Sequence, residues 1–173
     1  NPTGPLHVGH GRGAAYGDAI ARILTAAGSK VEKEYYINDA GRQIDILTAS
    51  VMLRLNKSND DFFPQNAYKG LYIEDIATNI KNDKKLEIKI DSSLFLNLSK
   101  DPEEEIDQLI SALKDRNNKE WLIIKDFSLN SILESIENDL KDFNVSFDVW
   151  FKESSLGNLA DNKSKMYASI KKL

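Results

Sequence analysis

The sequence predicts an α/β fold carrying a mainly helical insertion, and three observations support that prediction. A helical pattern over 9–27 stops at Gly28 and gives way to Val31–Ile37, a run rich in β-formers. Helix, glycine stop and strand make the αβ half of a parallel layer. Between residues 44 and 140, most apolar positions recur at helical rather than strand spacing. Strict alternation then returns at Val145, Phe147, Val149 and Phe151, interleaved with Ser146, Asp148 and Trp150.

Pro2, Gly4 and Pro5 hold the opening extended or turning before His7-Val8-Gly9-His10 enters the first helix. Two imidazoles three residues apart project from nearly one face, at a helix N-terminus that already favours an anion. Ile20, Ile23, Leu24 and Ala27 follow the spacing of a buried stripe. Gly11, Gly13 and Gly17 are poor helix formers, so a close approach to the backbone is expected along the first turns. After the strand, Asn38-Asp39-Ala40-Gly41 is turn chemistry, at the carboxyl end of a strand where open parallel sheets also carry ligands; both readings stand.

A second helix places Ile44, Leu47, Val51 and Leu55 on one face. A polar loop, Ser58 to Ala67, contains Phe62-Phe63-Pro64. A third helix begins near Tyr68, with Ile73, Ile76, Ala77 and Ile80 in register, and breaks at Asn82–Lys85. Leu86, Ile88 and Ile90 alternate with charges as a short strand would. Asp101-Pro102-Glu103-Glu104-Glu105 is a helix start, its acids matched to the dipole rather than gathered for a metal. Ile106, Leu109, Ile110 and Leu113 give that helix its inner face; Leu129, Ile132, Leu133, Ile136 and Leu140 mark another. The tail from Leu156 to Leu173 reads as partly helical.

Composition bounds the function. At 173 residues and 41% hydrophobic, the chain can bury a sizeable core as one domain or one plus an insertion. A net charge of −4 and a pI near 5.3 exclude a general nucleic-acid coat while leaving room for a local basic face. With no cysteine, disulfides, thiolate zinc sites and a cysteine nucleophile are excluded; a reducing cytosol fits. No apolar run approaches membrane-spanning length, and no signal peptide is visible. The chain opens without methionine, in mid-motif, so a fragment of a longer protein is expected.

Three chemistries compete for the opening. Gly9-x-Gly11-x-x-Ala14 matches a dinucleotide fingerprint, but that needs an apolar strand running into the first glycine, and Asn1 to His7 is no strand. A phosphate-cradling Walker loop fails because no Gly-Lys-Ser/Thr follows. A metal on His7 and His10, the only histidines, would need carboxylates to complete its ligands, so no metal site is assigned. Nucleotide handling by an H-x-G-H site remains: two imidazoles can donate to phosphate oxygens, and Gly9 removes a side chain where a base or ribose could lie. A pair of surface histidines is the plain alternative, and the flanking glycines and prolines weigh against it.

Asn1 to Ala19 resembles the signature region of bacterial arginyl-tRNA synthetases, with the HIGH-type motif of class I synthetases at His7–His10. The likeness continues through Glu34–Gly41 and Gln43-Ile44, and returns at Tyr68-Lys69-Gly70, Tyr72-Ile73 and Phe143–Phe151. Between roughly Leu86 and Asn130 it is weak. The resemblance implies the first half of a Rossmann-like class I synthetase catalytic domain: residues 1–57 and 143–173 in the nucleotide fold, 58–142 as insertion. It implies a ligase joining arginine to its tRNA through an adenylate, with ATP and Mg²⁺ as the substrate complex and no tightly bound cofactor. The full-length enzyme would be cytoplasmic and monomeric, with no membrane partner.

By that resemblance His7 and His10 are catalytic, and His7, Gly9, His10 and Gly11 hold ATP. Asn1, Asn38 and Asp39 are the candidate contacts to arginine. The resemblance also implies pieces lying elsewhere: the preceding strand, the second half of the fold, the KMSKS loop, the anticodon-binding helices and the residues that read the arginine side chain. Lys165-Met166-Tyr167-Ala168-Ser169 lacks the second KMSKS lysine and lies too near the first motif, so it reads as ordinary helix. Gly4 stands where some relatives carry a compensating lysine, so an intact lysine-bearing loop is expected elsewhere. These 173 residues alone are not expected to catalyse the reaction. Another H-x-G-H nucleotidyltransferase acting on a small acid, or a non-catalytic tRNA or nucleotide binder, are the alternatives.

Overall fold

The computed structural model describes residues 1–56, 63–157 and 160–172. In chain order they form α1 (Val8–Ala26), β1 (Glu34–Ile37), α2 (Arg42–Leu55), α3 (Leu71–Lys84), α4 (Pro102–Arg116), α5 (Asn118–Asp142), β2 (Val149–Lys152) and α6 (Lys165–Ile170). Short 3₁₀ turns lie at Ser92–Phe95 and Glu153–Leu156. Two compact units divide the chain, Asn1–Ala40 with Glu134–Leu173, and Gly41–Leu133. In the second unit α2 packs on α3 and α4. Residues 57–62, including Ser58 and Phe62 of the expected polar loop, lie outside the described residues.

In the first unit β1 and β2 pair in parallel, from Glu34 opposite Val149 to Ile37 opposite Lys152. A parallel pair needs a crossover, and here the chain runs through α2 to α5 between the strands. Side chains alternate between the two faces: Tyr35 stacks on Trp150 at 4.6 Å on one, Tyr36 faces Phe151 at 5.7 Å on the other. The ladder is shorter than the alternating patterns suggest. Val31 and Val145 to Phe147 stay outside it, and Lys33 with Asp148 forms its entrance: Asp148 N–H donates to Lys33 O (2.8 Å) and Lys33 N–H to Asp148 Oδ2 (2.8 Å).

Helix α1 stops as expected. Gly28 has φ +89, its N–H returns to Thr25 O (3.0 Å), and Ser29 N–H reaches Leu24 O (3.0 Å), the two bonds of a Schellman stop. Its expected buried stripe is overturned, since Ile20, Ile23, Leu24 and Ala27 are exposed. The inward face instead carries Ala14, Asp18 and Ala21, of which Asp18 and Ala21 are buried. Apolar spacing locates an apolar face; a charge-paired aspartate has taken the inner one here.

The second unit is built around α2, buried on nearly every side: Ile44, Leu47 and Val51 as spaced, and also Ile46, Ala49, Met52 and Leu53. Its buried hydroxyls are satisfied locally, Thr48 on Ile44 O (2.8 Å) and Ser50 on Ile46 O (2.7 Å), and Ser50 Oγ also accepts Tyr68 N–H (2.9 Å). Asp101 caps α4 through Glu103 N–H (2.9 Å) and Glu104 N–H (3.1 Å), and Ile106, Leu109, Ile110 and Leu113 are buried as expected. Helix α3 buries Ile73, Ile76, Ala77 and Ile80, starts after Tyr68 at Leu71, and continues through the expected break to Lys84. Leu86–Ile90 is not a strand. Ile88 and Ile90 are buried, but the Ile90 N–H goes to the Asn56 amide oxygen (2.9 Å) rather than into a ladder.

Helix α5 begins earlier than its first expected core residue, at Asn118, and adds buried Trp121 and Ile124. Lys165–Ile170 is helical, as read, with Ser164 capping it through Tyr167 N–H (3.0 Å).

Candidate functional site

The site is built at the ends of α1, β1 and β2 in the first unit. His7 is the N-cap of α1, and its Nδ1 accepts the Gly9 N–H (3.1 Å). His10 reaches back, its Nδ1 accepting the His7 N–H (3.2 Å). This is a capping box made of two histidines, and the rings stack with centroids 3.7 Å apart at 20°.

The bonds decide where the protons are. An Nδ1 that accepts must be bare, so each neutral ring carries its proton on Nε2. Two Nε2–H donors are therefore offered from the start of the helix. Desolvation first, then His7, hold the His10 pKa below its ordinary 6.5, which favours this neutral form.

The same geometry corrects the picture of bare backbone amides waiting for phosphate. Gly9 N–H is taken by His7 Nδ1 and His10 N–H by His7 O (2.9 Å). Gly9 also has a local reason to be glycine: a Cβ there would stand 2.9 Å from His7 Cε1 and 3.1 Å from Nδ1. Among the described residues, Gly13 and Gly17 have no atom within 4 Å of such a Cβ beyond their own helix backbone and chain neighbours, and Gly11 meets the Phe143 ring at 4.0 Å, so these residues do not make the expected close approach.

At the carboxyl end of β1, Asn38 and Asp39 do different things. Asp39 is buried and both its oxygens accept from Ser154, from N–H at 2.8 Å and Oγ at 2.6 Å. It clamps the end of β1 to the 3₁₀ turn after β2. Asn38, with its amide turned to satisfy its neighbours, donates to Ala40 O (2.9 Å) and Glu153 Oε2 (3.2 Å), and its oxygen lies 2.9 Å from the Asn1 side-chain amide. Tyr36 lies near the same Glu153; desolvation first, and that carboxylate second, raise its phenol pKa. The structure thus gathers Asn1, Asn38, Glu153 and Tyr36. Among the described residues no three metal-ligating side chains gather anywhere.

The family model described as tRNA synthetases class I (R), catalytic domain, matches residues 1–161. The chain belongs to that family. It is 48% identical over 168 residues to the arginine–tRNA ligase of Vesicomyosocius okutanii, and 45% identical over 162 to that of Nitrosospira multiformis. Each match covers 90% of this chain and 28% of the relative, so the chain spans under a third of their length. A crystal structure from Campylobacter jejuni, described as a candidate arginyl tRNA synthetase, superposes with a TM-score of 0.66 at 29% identity over 99% of this chain and 32% of that one.

Within this class I synthetase segment, sequence reading missed Glu153, Tyr36 and Asp18. Nothing in the spacing links Glu153 to Asn38 across 115 positions; only the parallel register does, by ending β1 and β2 side by side.

Proposed function

We propose that this chain is the histidine-bearing first half of the catalytic domain of an arginine–tRNA ligase, a Rossmann-like layer with the helical unit as its insertion. The parallel strand pair, its helical crossover and the polar groups at the strand ends support that reading. Arginine's carboxylate attacks the α-phosphorus of ATP, the new C–O–P link forms as the bond to pyrophosphate breaks, and the arginyl group then passes to the 3′-terminal ribose of tRNA, releasing AMP. Mg²⁺ travels with the ATP phosphates.

The observation that carries the proposal is the doubly tied histidine pair. Both Nδ1 atoms are fixed on the backbone, so both Nε2–H groups are preorganised donors for the oxygens on which charge builds during displacement at phosphorus. Gly9 lets the His7 ring fold over the turn, and Gly11 continues it without a side chain toward ATP. Asn1 and Asn38 supply polar contacts to arginine, Glu153 meets its positive charge, and Asp39 holds Glu153 in place through Ser154. tRNA, arginine and ATP are the partners. The full-length enzyme acts as a cytoplasmic monomer, and this segment alone is inactive. No helix among the described residues is long and apolar enough to cross a membrane.

The test is amino-acid-dependent ATP–pyrophosphate exchange by the full-length protein, with tRNA present. Arginine should support exchange and lysine should not, and Glu153→Gln should raise the KM for arginine about tenfold or more. Exchange with another amino acid, or an unchanged KM in the variant, would sink the arginine assignment or the role of Glu153 respectively.

A further inference from the structure

We propose that Asp18 is a positioning residue for the histidine turn: its buried carboxylate, gripped by Lys33 and Arg22, fixes how α1 lies against the β1–β2 layer and so where His7 and His10 present their Nε2–H groups. The inference rests on the functional reading above.

Asp18 is 8% exposed, and its two oxygens are divided between two cations. Arg22 Nε donates to Oδ2 at 2.5 Å from the next turn of the same helix; Lys33 Nζ donates to Oδ1 at 3.0 Å from outside it. Lys33 is itself built into the layer. It directly precedes β1, its backbone exchanges hydrogen bonds with Asp148, and its ammonium also reaches Ser146 Oγ (3.3 Å). Arg22 adds a bond to Asn144 O (3.3 Å). Both cations therefore tie Asp18 to the segment leading into β2.

Little else holds this helix inward. Asp18 and Ala21 are its only buried residues. Toward the histidines the helix contains Gly9, Gly11, Gly13 and Gly17, which are weak helix formers. Asp18 stands directly after the last of them, with His10 eight residues further up the helix. A tilt of about 5° at the pin moves a group ~12 Å along the axis by roughly 1 Å. A misplacement of that size can cost on the order of 10²-fold in rate. The loss belongs in kcat, because it removes a contact made as charge develops rather than one that binds the ground state.

The experiment compares Asp18→Asn and Asp18→Glu with wild type in the full-length protein. The readouts are kcat and KM for ATP in arginine-dependent exchange, amide hydrogen exchange along residues 8–20, and thermal unfolding. A cavity of about 540 Å³ bordered by Asp18 and Lys33 gives the longer glutamate room to keep the pair. Asp18→Asn should lower kcat at least about tenfold with KM for ATP within about threefold. It should speed amide exchange in residues 8–20 while β1 and α3 keep their protection. Asp18→Glu should restore most of both. Wild-type kcat and protection in Asp18→Asn would overturn the proposal, as would loss of protection spread evenly over the unit with no rescue by glutamate. If wild type shows no arginine-dependent exchange, the functional reading fails by itself, and the protection comparison still decides whether Asp18 orders the histidine turn.

Discussion

Two imidazoles that both give Nδ1 to a backbone N–H keep their cap only while Nδ1 is unprotonated. The folded state therefore binds the His10 proton less readily than the unfolded chain, as its lowered pKa says. The sign follows: this contribution to stability is full above the unfolded value of 6.5 and is lost as pH falls from there through the lowered folded value. Thermal unfolding followed between pH 8 and about 5 should show a fall that His10→Gln flattens, since glutamine can accept at Oε1 without titrating. Nitrogen NMR of the two rings at neutral pH should report the Nε2–H form for both. Rings protonated at Nδ1 would contradict the capping box. That His7 and His10 belong together was legible in their spacing. That they bind each other's backbone was not, because a capping box of histidines has no usual sequence signature.

Among the elements, glycines mark the tight places. Gly157 sits at φ +73 after the 3₁₀ turn, and a Cβ there would lie 2.5 Å from the Ser164 Cβ. Gly157→Ala should therefore detach the Ser164 cap and lower the helicity of α6, with about 1–3 kcal/mol of local strain, read as faster amide exchange over 164–170. Gly70 meets Tyr72 instead. A Cβ would fall 2.5 Å from the ring of a tyrosine whose burial pushes its pKa up to about 12. Gly70→Ala should destabilise the second unit by about 1–3 kcal/mol in urea unfolding, because the partly buried ring must move. Gly70-x-Tyr72 was noticed in the sequence as part of a likeness; its physical reason is this contact.

Helix positions and most core residues were legible because helical spacing is a local signal: Ile73 to Ile80 and Ile106 to Leu113 are buried as spaced. The Leu86–Ile90 segment and the outer face of α1 were misread for one shared reason. Alternation or amphipathicity states which side chains are apolar, whereas strand pairing and burial depend on what the rest of the chain brings alongside.

At the scale of the molecule, one unit holds the histidine turn, the strand pair and the Asn1–Asn38–Glu153 cluster, and the other is a helical core. The helical unit is pinned internally by ions that join α2 to α4. Arg42 reaches Asp107 (2.6 Å) and Glu103 (2.6 Å), and Lys114 reaches Asp45 (2.8 Å). Arg42, Glu103 and Asp107 are exposed, so Arg42→Ala should change urea stability by no more than about 1 kcal/mol, less at high salt. The polar cluster was the part of the site least visible in sequence, since its members come from the opening, the end of β1 and the residue after β2. The parallel register brings two of these together, and a long helical crossover hides that register from any local pattern.

The most direct test of the central claim is kcat for arginine-dependent ATP–pyrophosphate exchange in the full-length protein carrying His10→Ala, beside wild type and with tRNA present. A preorganised donor to the displaced phosphates predicts a fall of about 10²-fold or more in kcat with the KM for arginine little changed. A kcat within about twofold of wild type, from a variant that remains folded, would contradict the claim that these histidines act on the reacting phosphates.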